Sequence, residues 1–306
     1  MKDNNQFDII IIGGSYSGLS AAMALGRALK NVLIIDSGKP CNAQTPFSHN
    51  FLTQDGKRPA EIAQFGRAEV ERYDTVKFYN GWAGYGSKTA QGFEIQVESG
   101  ETFKADKLIF ATGIKDVLPA IDGFAACWGI SAIHCPYCHG YEVKGQKTGI
   151  LGKGEAGYDL TALISNWTSE LTLFTNGTSM LTTEQLEQLK QRKVQVVEKE
   201  IERFEHHNGY IEQLIFKDHT ASAVQVIYSR NPFEQHCAIP ESLGCELSAD
   251  GFVKVDQFQQ TSIAGIFACG DNTTRLRSVA NAVAMGAIAG ASAANQMIFE
   301  QFKSIS

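Results

Sequence analysis

Cys135 and Cys138, three positions apart, are the residues of this chain best placed to do chemistry. They sit in Ser131-Ala-Ile-His-Cys-Pro-Tyr-Cys-His-Gly-Tyr-Glu142, with His134 and His139 immediately outside the pair. A dithiol this tight closes a disulfide with little loop entropy to lose, so it can cycle between oxidised and reduced forms. His139 is the natural proton carrier, because an ordinary imidazole titrates near pH ~6.5 and suits exchange with thiols. His134 precedes the pair on its strand or turn side, and Glu142 is placed to orient His139. The same letters also read as a haem-attachment pattern, Cys-x-x-Cys-His, or as half of a zinc site. Haem attachment needs export, and residues 1–7 (MKDNNQF) lack the apolar stretch of a secretory signal. Zinc needs a second ligand pair, and Cys237 and Cys245 stand eight apart rather than at knuckle spacing. His206, His207, His219 and His236 share no ligand spacing and are expected at the surface or in loops. Cys41, Cys127 and Cys269 are expected to be small buried or partly buried apolar residues.

A redox pair needs an electron partner, and the flanking chain has two candidate nucleotide turns. Residues 8–12 (DIIII) form a β-branched run of the kind buried on both faces of a parallel sheet. They enter Gly13-Gly14-Ser15-Tyr16-Ser17-Gly18, then a small-residue helix over 19–29 and a strand over 31–36 ending at Asp36. Strand, glycine turn, helix, strand and terminal acid make a dinucleotide fingerprint. Gly13 allows the tight turn, Gly18 allows close helix packing, and the helix N-terminus offers N–H groups to a pyrophosphate. Ser15 departs from the pattern, standing where the middle glycine usually does. The polar stretch 37–86 is expected to be irregular apart from a helix over 59–73. An alternating ribbon over 93–98 turns at Gly100 into a buried strand over 102–111, which ends in Ala111-Thr112-Gly113. Pro119 and Gly123 then place a domain crossing near 115–123.

The second turn is Gly152-Lys153-Gly154-Glu155-Ala156-Gly157, between a strand at 146–151 and a helix over 158–167. With a strand over 170–174 it predicts a second domain of dinucleotide type, and the repetition strengthens both readings. Its second strand ends in Phe174-Thr-Asn-Gly177, with neither an acid for a ribose 2′-hydroxyl nor an arginine pair for a 2′-phosphate. Gly152, Gly154 and Gly157 therefore indicate the fold and leave the nucleotide open, including a domain that has lost it. A charged helix over 184–192 and a strand over 195–198 follow. The last block is read as a strand over 251–256, a buried strand within 261–271 ending in Gly270-Asp271, and an Ala/Gly-rich helix over 278–294. Such a helix lets a flat group lie against its backbone, or packs tightly in the core.

At 306 residues the chain is long enough for about two ordinary domains. A net charge of −6 argues against nucleic-acid or anionic-membrane partners. Seven cysteines with one close pair suggest a reducing compartment with a single functional pair. The longest apolar run, 9–12, is too short to span a bilayer, so a soluble cytoplasmic protein is expected.

With these residues in place, the chain resembles low-molecular-weight thioredoxin reductase-like flavoproteins over nearly its full length. Four anchors match in order: residues 13–18, Ala111-Thr112-Gly113, Cys135 with Cys138, and residues 261–271. The resemblance implies an α/β fold of two Rossmann-like domains (FAD/NAD(P)-binding, three-layer ββα), the second inserted into the first. Residues 1–116 and 244–306 would form the FAD-binding domain, and 117–243 a nicotinamide-type domain carrying the cysteines. It implies FAD pyrophosphate on the first turn, ribose at Asp36, Gly270 and Asp271 at the ribityl or pyrophosphate side, and the 278–294 helix under the isoalloxazine. It makes Cys138 the flavin-facing sulfur and Cys135 the sulfur that exchanges with substrate. It further implies NAD(P)H as a candidate donor, a homodimer, and a thioredoxin-like protein or a small-molecule dithiol or disulfide as partner. Thioredoxin reductases proper usually carry an aspartate after the second cysteine and an arginine-containing motif after the second turn. Here His139 and Phe174-Thr-Asn-Gly177 stand in those places, and the string CPYCHG is more similar to dithiol oxidases that make disulfides in gliotoxin and holomycin. Reductase, dithiol oxidase using O2, and non-catalytic flavoprotein sensor all remain open on this reading.

Overall fold

The computed structural model describes residues 5–304. The chain opens with β1 (Gln6–Ile12), α1 (Tyr16–Arg27), β2 (Val32–Asp36), α2 (Pro59–Val70) and β3 (Val76–Asn80). Then come β4 (Ala83–Thr89), β5 (Gly92–Val97), β6 (Thr102–Phe110) and the short β7 (Ile114–Asp116). The middle of the chain holds α3 (Phe124–Cys127), β8 (Ala132–Ile133), α4 (Pro136–His139), β9 (Thr148–Leu151) and α5 (Gly154–Ile164). It continues through β10 (Leu171–Phe174), α6 (Thr183–Gln191), β11 (Gln195–Val197), β12 (Ile201–His207), β13 (Tyr210–Phe216), β14 (Ala221–Ala223) and β15 (Val226–Ser229). The chain closes with β16 (Phe233–Gln235), α7 (Ile239–Ser242), β17 (Ile266–Ala268) and α8 (Val279–Lys303).

These elements form an α/β protein of two compact Rossmann-like units. One contains the residues up to Ala43, Asn50–Lys115 and those from Phe233 on; the other contains Gln44–His49 and Asp116–Pro232. The chain thus returns to the first unit at Phe233, earlier than the expected 244. The physical reason is that Cys237, Ile239 and Cys245 are buried in the first unit's core with Phe93, Ile95 and Ile266.

In the first unit the strand order is β3-β2-β1-β6-β5-β4, with β17 also on β6. β1 runs parallel to β2 (Ile9↔Val32) and to β6 (Ile9↔Lys107), which fully buries Ile9, Ile10 and Ile11 and accounts for the unbroken β-branched run. The first half of β6 pairs antiparallel with β5, and its last residues pair parallel with β17. All the parallel strands therefore end at one edge, where the first glycine turn lies.

α8 packs on α1. A side chain at Gly286 would be 2.9 Å from Ser17 C and one at Gly290 would be 3.0 Å from Ala21 Cα, so these glycines let the two backbones touch. Ser20 Oγ donates to Val283 O at 2.7 Å across the same contact. Gly286 and Gly290 thus serve close helix packing, one of the two uses expected for the small residues of this helix. α8 is also the one helix among the described residues long and apolar enough to cross a membrane, well beyond the 9–12 run considered from sequence. Its stripe of Ala282, Gly286, Ala289, Gly290, Ala293 and Met297 is buried in the core with α1.

Residues 251–256 do not form the expected strand. Val253 makes a single bridge to Leu247, and the Asp256 carboxylate accepts from the Phe258 and Gln260 amides at 2.8 and 2.9 Å, which turns the chain. Cys41 is exposed, contrary to expectation, while Cys127 and Cys269 are buried. His207 is exposed at the end of strand β12 and His219 in a turn, as expected, whereas His206 on β12 is partly buried and His236 lies in a bend, partly buried against Trp82.

The second unit is a parallel sheet, β11-β10-β9-β15-β8, with the ribbon β12-β13-β14 beside it in sequence. α5 starts at Gly154 rather than 158, because the glycine turn is itself the first turn of the helix. α6 begins with a full capping box between Thr182 and Gln185.

Candidate functional site

The first turn is built by close backbone contacts that exclude side chains. Gly13 N–H donates to Ile35 O (2.8 Å), and its φ of +105° suits glycine. A side chain at Gly18 would run into the Gly13 carbonyl, and one at Gly13 into that of Ala111. Gly14 N–H donates to Asp36 Oδ1 (3.1 Å), which ties the acid at the end of β2 to the turn. Ser15 is the N-cap of α1, but its hydroxyl makes no capping bond, so the first N–H groups of the helix remain for a ligand. Thr112 Oγ1 is buried beside this turn without a partner, and Gly113 (φ +63°) faces open space. A side chain at Gly270 would be 2.6 Å from Ser17 Oγ, so these two residues pack directly. Asp271 pairs with Arg277 at 3.5 Å, and the fully buried Asn272 donates to Phe110 O at 2.9 Å. Arg277 and Asn272 escaped the sequence reading because neither has diagnostic spacing. Helix donors, an orphaned hydroxyl and a strand-end carboxylate together suit a dinucleotide such as FAD.

The second unit carries the cysteines on the single turn α4, which follows β8. Cys135 is the N-cap, Pro136 occupies the first helical position, and Cys138 N–H donates to Cys135 Sγ at 3.2 Å. The two cysteines are joined as a disulfide, with Cα atoms 5.3 Å apart. A side chain at Gly140 would be 2.7 Å from Trp167 Nε1, and Trp167 meets the exposed Tyr137 edge-on at 5.7 Å. His134 stacks on Trp128 at 5.8 Å. The other buried thiols are poor competitors, since burial pushes Cys127 and Cys237 to about 11 and Cys269 to about 12.

His139 differs from its expected behaviour. Burial, and secondarily the nearby His49, lower its pKa to about 4, so it is a neutral imidazole near pH ~7. Its unprotonated ring nitrogen can accept a hydrogen bond, but the low value makes it a weak base. Glu142 does not orient His139 directly; it pairs with His49, Nδ1 to Oε1 3.5 Å. His49 was missed because it lies in a polar loop far from the cysteines in sequence. Tyr228 lies in register with Ile133, and its buried hydroxyl has no partner; burial, then Glu142, raises its pKa.

The second glycine turn repeats the first in outline. Gly152 N–H donates to Phe174 O (3.1 Å), and a side chain at Gly157 would be 2.8 Å from Gly152 C. Its interior differs. Gly154 N–H, where a phosphate would be received, already donates to Ser179 O at 2.8 Å. Ser179 N–H in turn donates to Glu198 Oε1 at 2.7 Å, and Gly177 N–H to Glu198 O at 3.0 Å. The chain thus takes up one amide of its own turn and sets the Glu198 carboxylate beside Ser179, which holds it below the usual range. These residues do not fit a nicotinamide dinucleotide in the way that the first turn fits FAD.

Residues 7–286 match the family model for pyridine nucleotide-disulphide oxidoreductases, and the chain belongs to that family. It is a thioredoxin reductase-like oxidoreductase acting on sulfur groups, and the family generally uses FAD and NAD(P)H. Among curated relatives, the thioredoxin reductase tcpT of Claviceps purpurea is 34% identical, covering 97% of this chain and 96% of the relative. The thioredoxin reductase sirT of Leptosphaeria maculans is 30% identical, covering 93% and 92%. Among solved structures, HlmI superposes with a TM-score of 0.93 at 29% identity, covering 100% of this chain and 96% of the other. An oxidoreductase from Agrobacterium tumefaciens gives 0.89 at 37% identity, covering 96% and 99%.

Proposed function

We propose that this enzyme is an FAD-dependent thiol/disulfide oxidoreductase that moves two electrons between flavin and a substrate through Cys135 and Cys138. The observation that carries this is the Cys135–Cys138 disulfide at the start of α4, followed at once by a buried, neutral His139. Residues 13–18, Asp36, Ala111, Thr112, Gly113, Gly270 and Asp271 would hold FAD, which when bound supplies the two-electron partner of the dithiol. A substrate thiolate attacks Cys135, Cys138 leaves, and a second substrate thiol releases Cys135. The balance is substrate dithiol plus protein disulfide giving substrate disulfide plus protein dithiol. The Cys138 N–H stabilises negative charge on Cys135 Sγ, and neutral His139 offers a hydrogen-bond acceptor beside the pair.

Run in reverse, the same steps reduce a disulfide, which is the thioredoxin reductase-like direction with NAD(P)H as donor. The self-occupied turn at Gly154 favours the other direction, a dithiol oxidase that forms a disulfide in a small molecule and uses O2 as final acceptor. It gives no support to a non-catalytic sensor. A homodimer, implied by the resemblance, is the assembly we adopt, with sedimentation velocity as its check, and a cytoplasmic setting follows the sequence expectation. Anaerobic titration of the yellow protein separates the directions. Bleaching of the flavin band by a dithiol but not by NADPH or NADH, with peroxide on re-aeration, supports the oxidase. Bleaching by either nucleotide at a comparable rate supports the reductase.

A further inference from the structure

The four residues of α4 are too few to hold a helical turn unaided, since a first turn costs more order than its one hydrogen bond returns. Within the turn, Gly140 N–H donates to Pro136 O at 2.7 Å, and Cys138 N–H reaches Cys135 O at 3.3 Å and Cys135 Sγ at 3.2 Å. Further support comes from Trp167, in the connection between α5 and β10. Its amide donates to Ile164 O (2.9 Å) at the end of α5, and its carbonyl accepts from Gly145 N–H (3.0 Å) in the loop after α4. Thr168 Oγ1 donates to Gln146 O at 3.0 Å and ties the same two segments again. The indole is then laid against the turn. A side chain at Gly140 would be 2.7 Å from Trp167 Nε1 and 2.8 Å from Cδ1, so its absence leaves room for the ring. The same indole meets the Tyr137 ring edge-on at 88°, with centroids 5.7 Å apart.

In the oxidised form the S–S bond itself holds Cys135 and Cys138 together. Once it is reduced, Cys138 N–H stays aimed at Cys135 Sγ only while the turn persists, and that bond favours the thiolate over the thiol. We propose that Trp167 is a positioning residue for the redox pair: its indole holds α4 as a turn in the dithiol form and so favours the thiolate at Cys135. This rests on the reading of Cys135–Cys138 as the redox pair. The titratable groups beside the pair are His134, Tyr137 and His139. Those of the two segments that Trp167 joins are Glu142, which faces His49, Lys144 and Glu170. Trp167 carries no charge, so replacing it leaves all of these in place.

The test is the pH dependence of alkylation by iodoacetamide in the flavin-loaded full chain, reduced and kept anaerobic. Modification at Cys135 is read by peptide mass spectrometry, apart from the exposed Cys41. Trp167→Ala is expected to raise the Cys135 midpoint by about half a unit, roughly threefold less thiolate at a pH well below it. Trp167→Phe, which keeps an aromatic ring against Tyr137, is expected to stay closer to the parent protein than to Trp167→Ala. Gly140→Ala, whose methyl must displace the indole or the turn, is expected to raise the midpoint as well. A midpoint unchanged or lowered in Trp167→Ala, or raised as far by Trp167→Phe, overturns the proposal. If Trp167→Ala does not fold, Gly140→Ala decides, and a midpoint there that does not rise overturns it. Failure of the redox reading appears separately, as flavin reduction by dithiothreitol that survives Cys138→Ser.

Discussion

Gly154 donates its amide to the carbonyl of Ser179 at 2.8 Å, so the first amide of the second dinucleotide turn is engaged by its own chain. Ser179 is held there by the Glu198 carboxylate, which accepts its amide at 2.7 Å and adds a negative charge beside the turn. Binding of NADPH would have to break this bond and bring two like charges together. NADPH is therefore expected to bind more weakly than about 1 mM, a free energy under about 4 kcal/mol, measured by calorimetry on the flavin-loaded protein. Micromolar affinity would contradict this.

At the first turn the expected effect is on flavin retention. A methyl at Gly18 would collide with the Gly13 carbonyl and push α1 away from the turn. Gly18→Ala should purify with little flavin, read as the ratio of flavin to protein absorbance. The dithiol turn belongs to the other compact unit, so thiol titration of the unfolded, unreduced variant should still find the Cys135–Cys138 disulfide.

The contact of α8 with α1 predicts a loss of stability from a very small change. Gly290→Ala places a methyl about where Ala21 Cα lies 3.0 Å away, and Gly286→Ala does the same against Ser17 and Ser20. Each is expected to cost about 1–3 kcal/mol in urea unfolding, although alanine is the better helix former. A neutral or stabilising result would show that the helices can separate without loss.

Much of this architecture is legible in the sequence, because it is encoded by strong local signals. The buried run at 9–12, the glycines at 13 and 18 and Asp36 announce a βαβ unit, and β1, α1 and β2 form it. The cysteine pair with Pro136 likewise reads as a redox turn. What stays hidden depends on tertiary contact. Nothing in the spacing of Gly152, Gly154 and Gly157 reveals that Ser179 will fill the turn. His49 has no local pattern linking it to Glu142, more than ninety positions away. The strand expected at 251–256 failed because Asp256 turns the backbone through side-chain hydrogen bonds. The Ala/Gly helix could be read from sequence as a ligand surface or as a packing helix, and only the contact of Gly286 and Gly290 with α1 shows the packing role.

His139 also gives a pH dependence to stability. The unfolded imidazole binds a proton below pH ~6.5, whereas the native one does so only near about 4. Within that window the unfolded state holds more protons, so stability is full above it and falls as pH drops through it. The contribution is about 3 kcal/mol at most. Urea unfolding at both ends of the window should show a smaller difference for His139→Gln than for the parent protein. An equal difference would mean that His139 titrates normally in the fold.

The central claim is that electrons pass between substrate and flavin through both sulfurs of the Cys135–Cys138 pair. Anaerobic stopped-flow mixing of the flavin-loaded protein with dithiothreitol measures this directly, in the parent and in Cys135→Ser and Cys138→Ser. The account predicts rapid bleaching of the parent flavin and a rate at least about 100-fold lower in each variant, roughly 2.7 kcal/mol in barrier. Bleaching of both variants at the parent rate would contradict it.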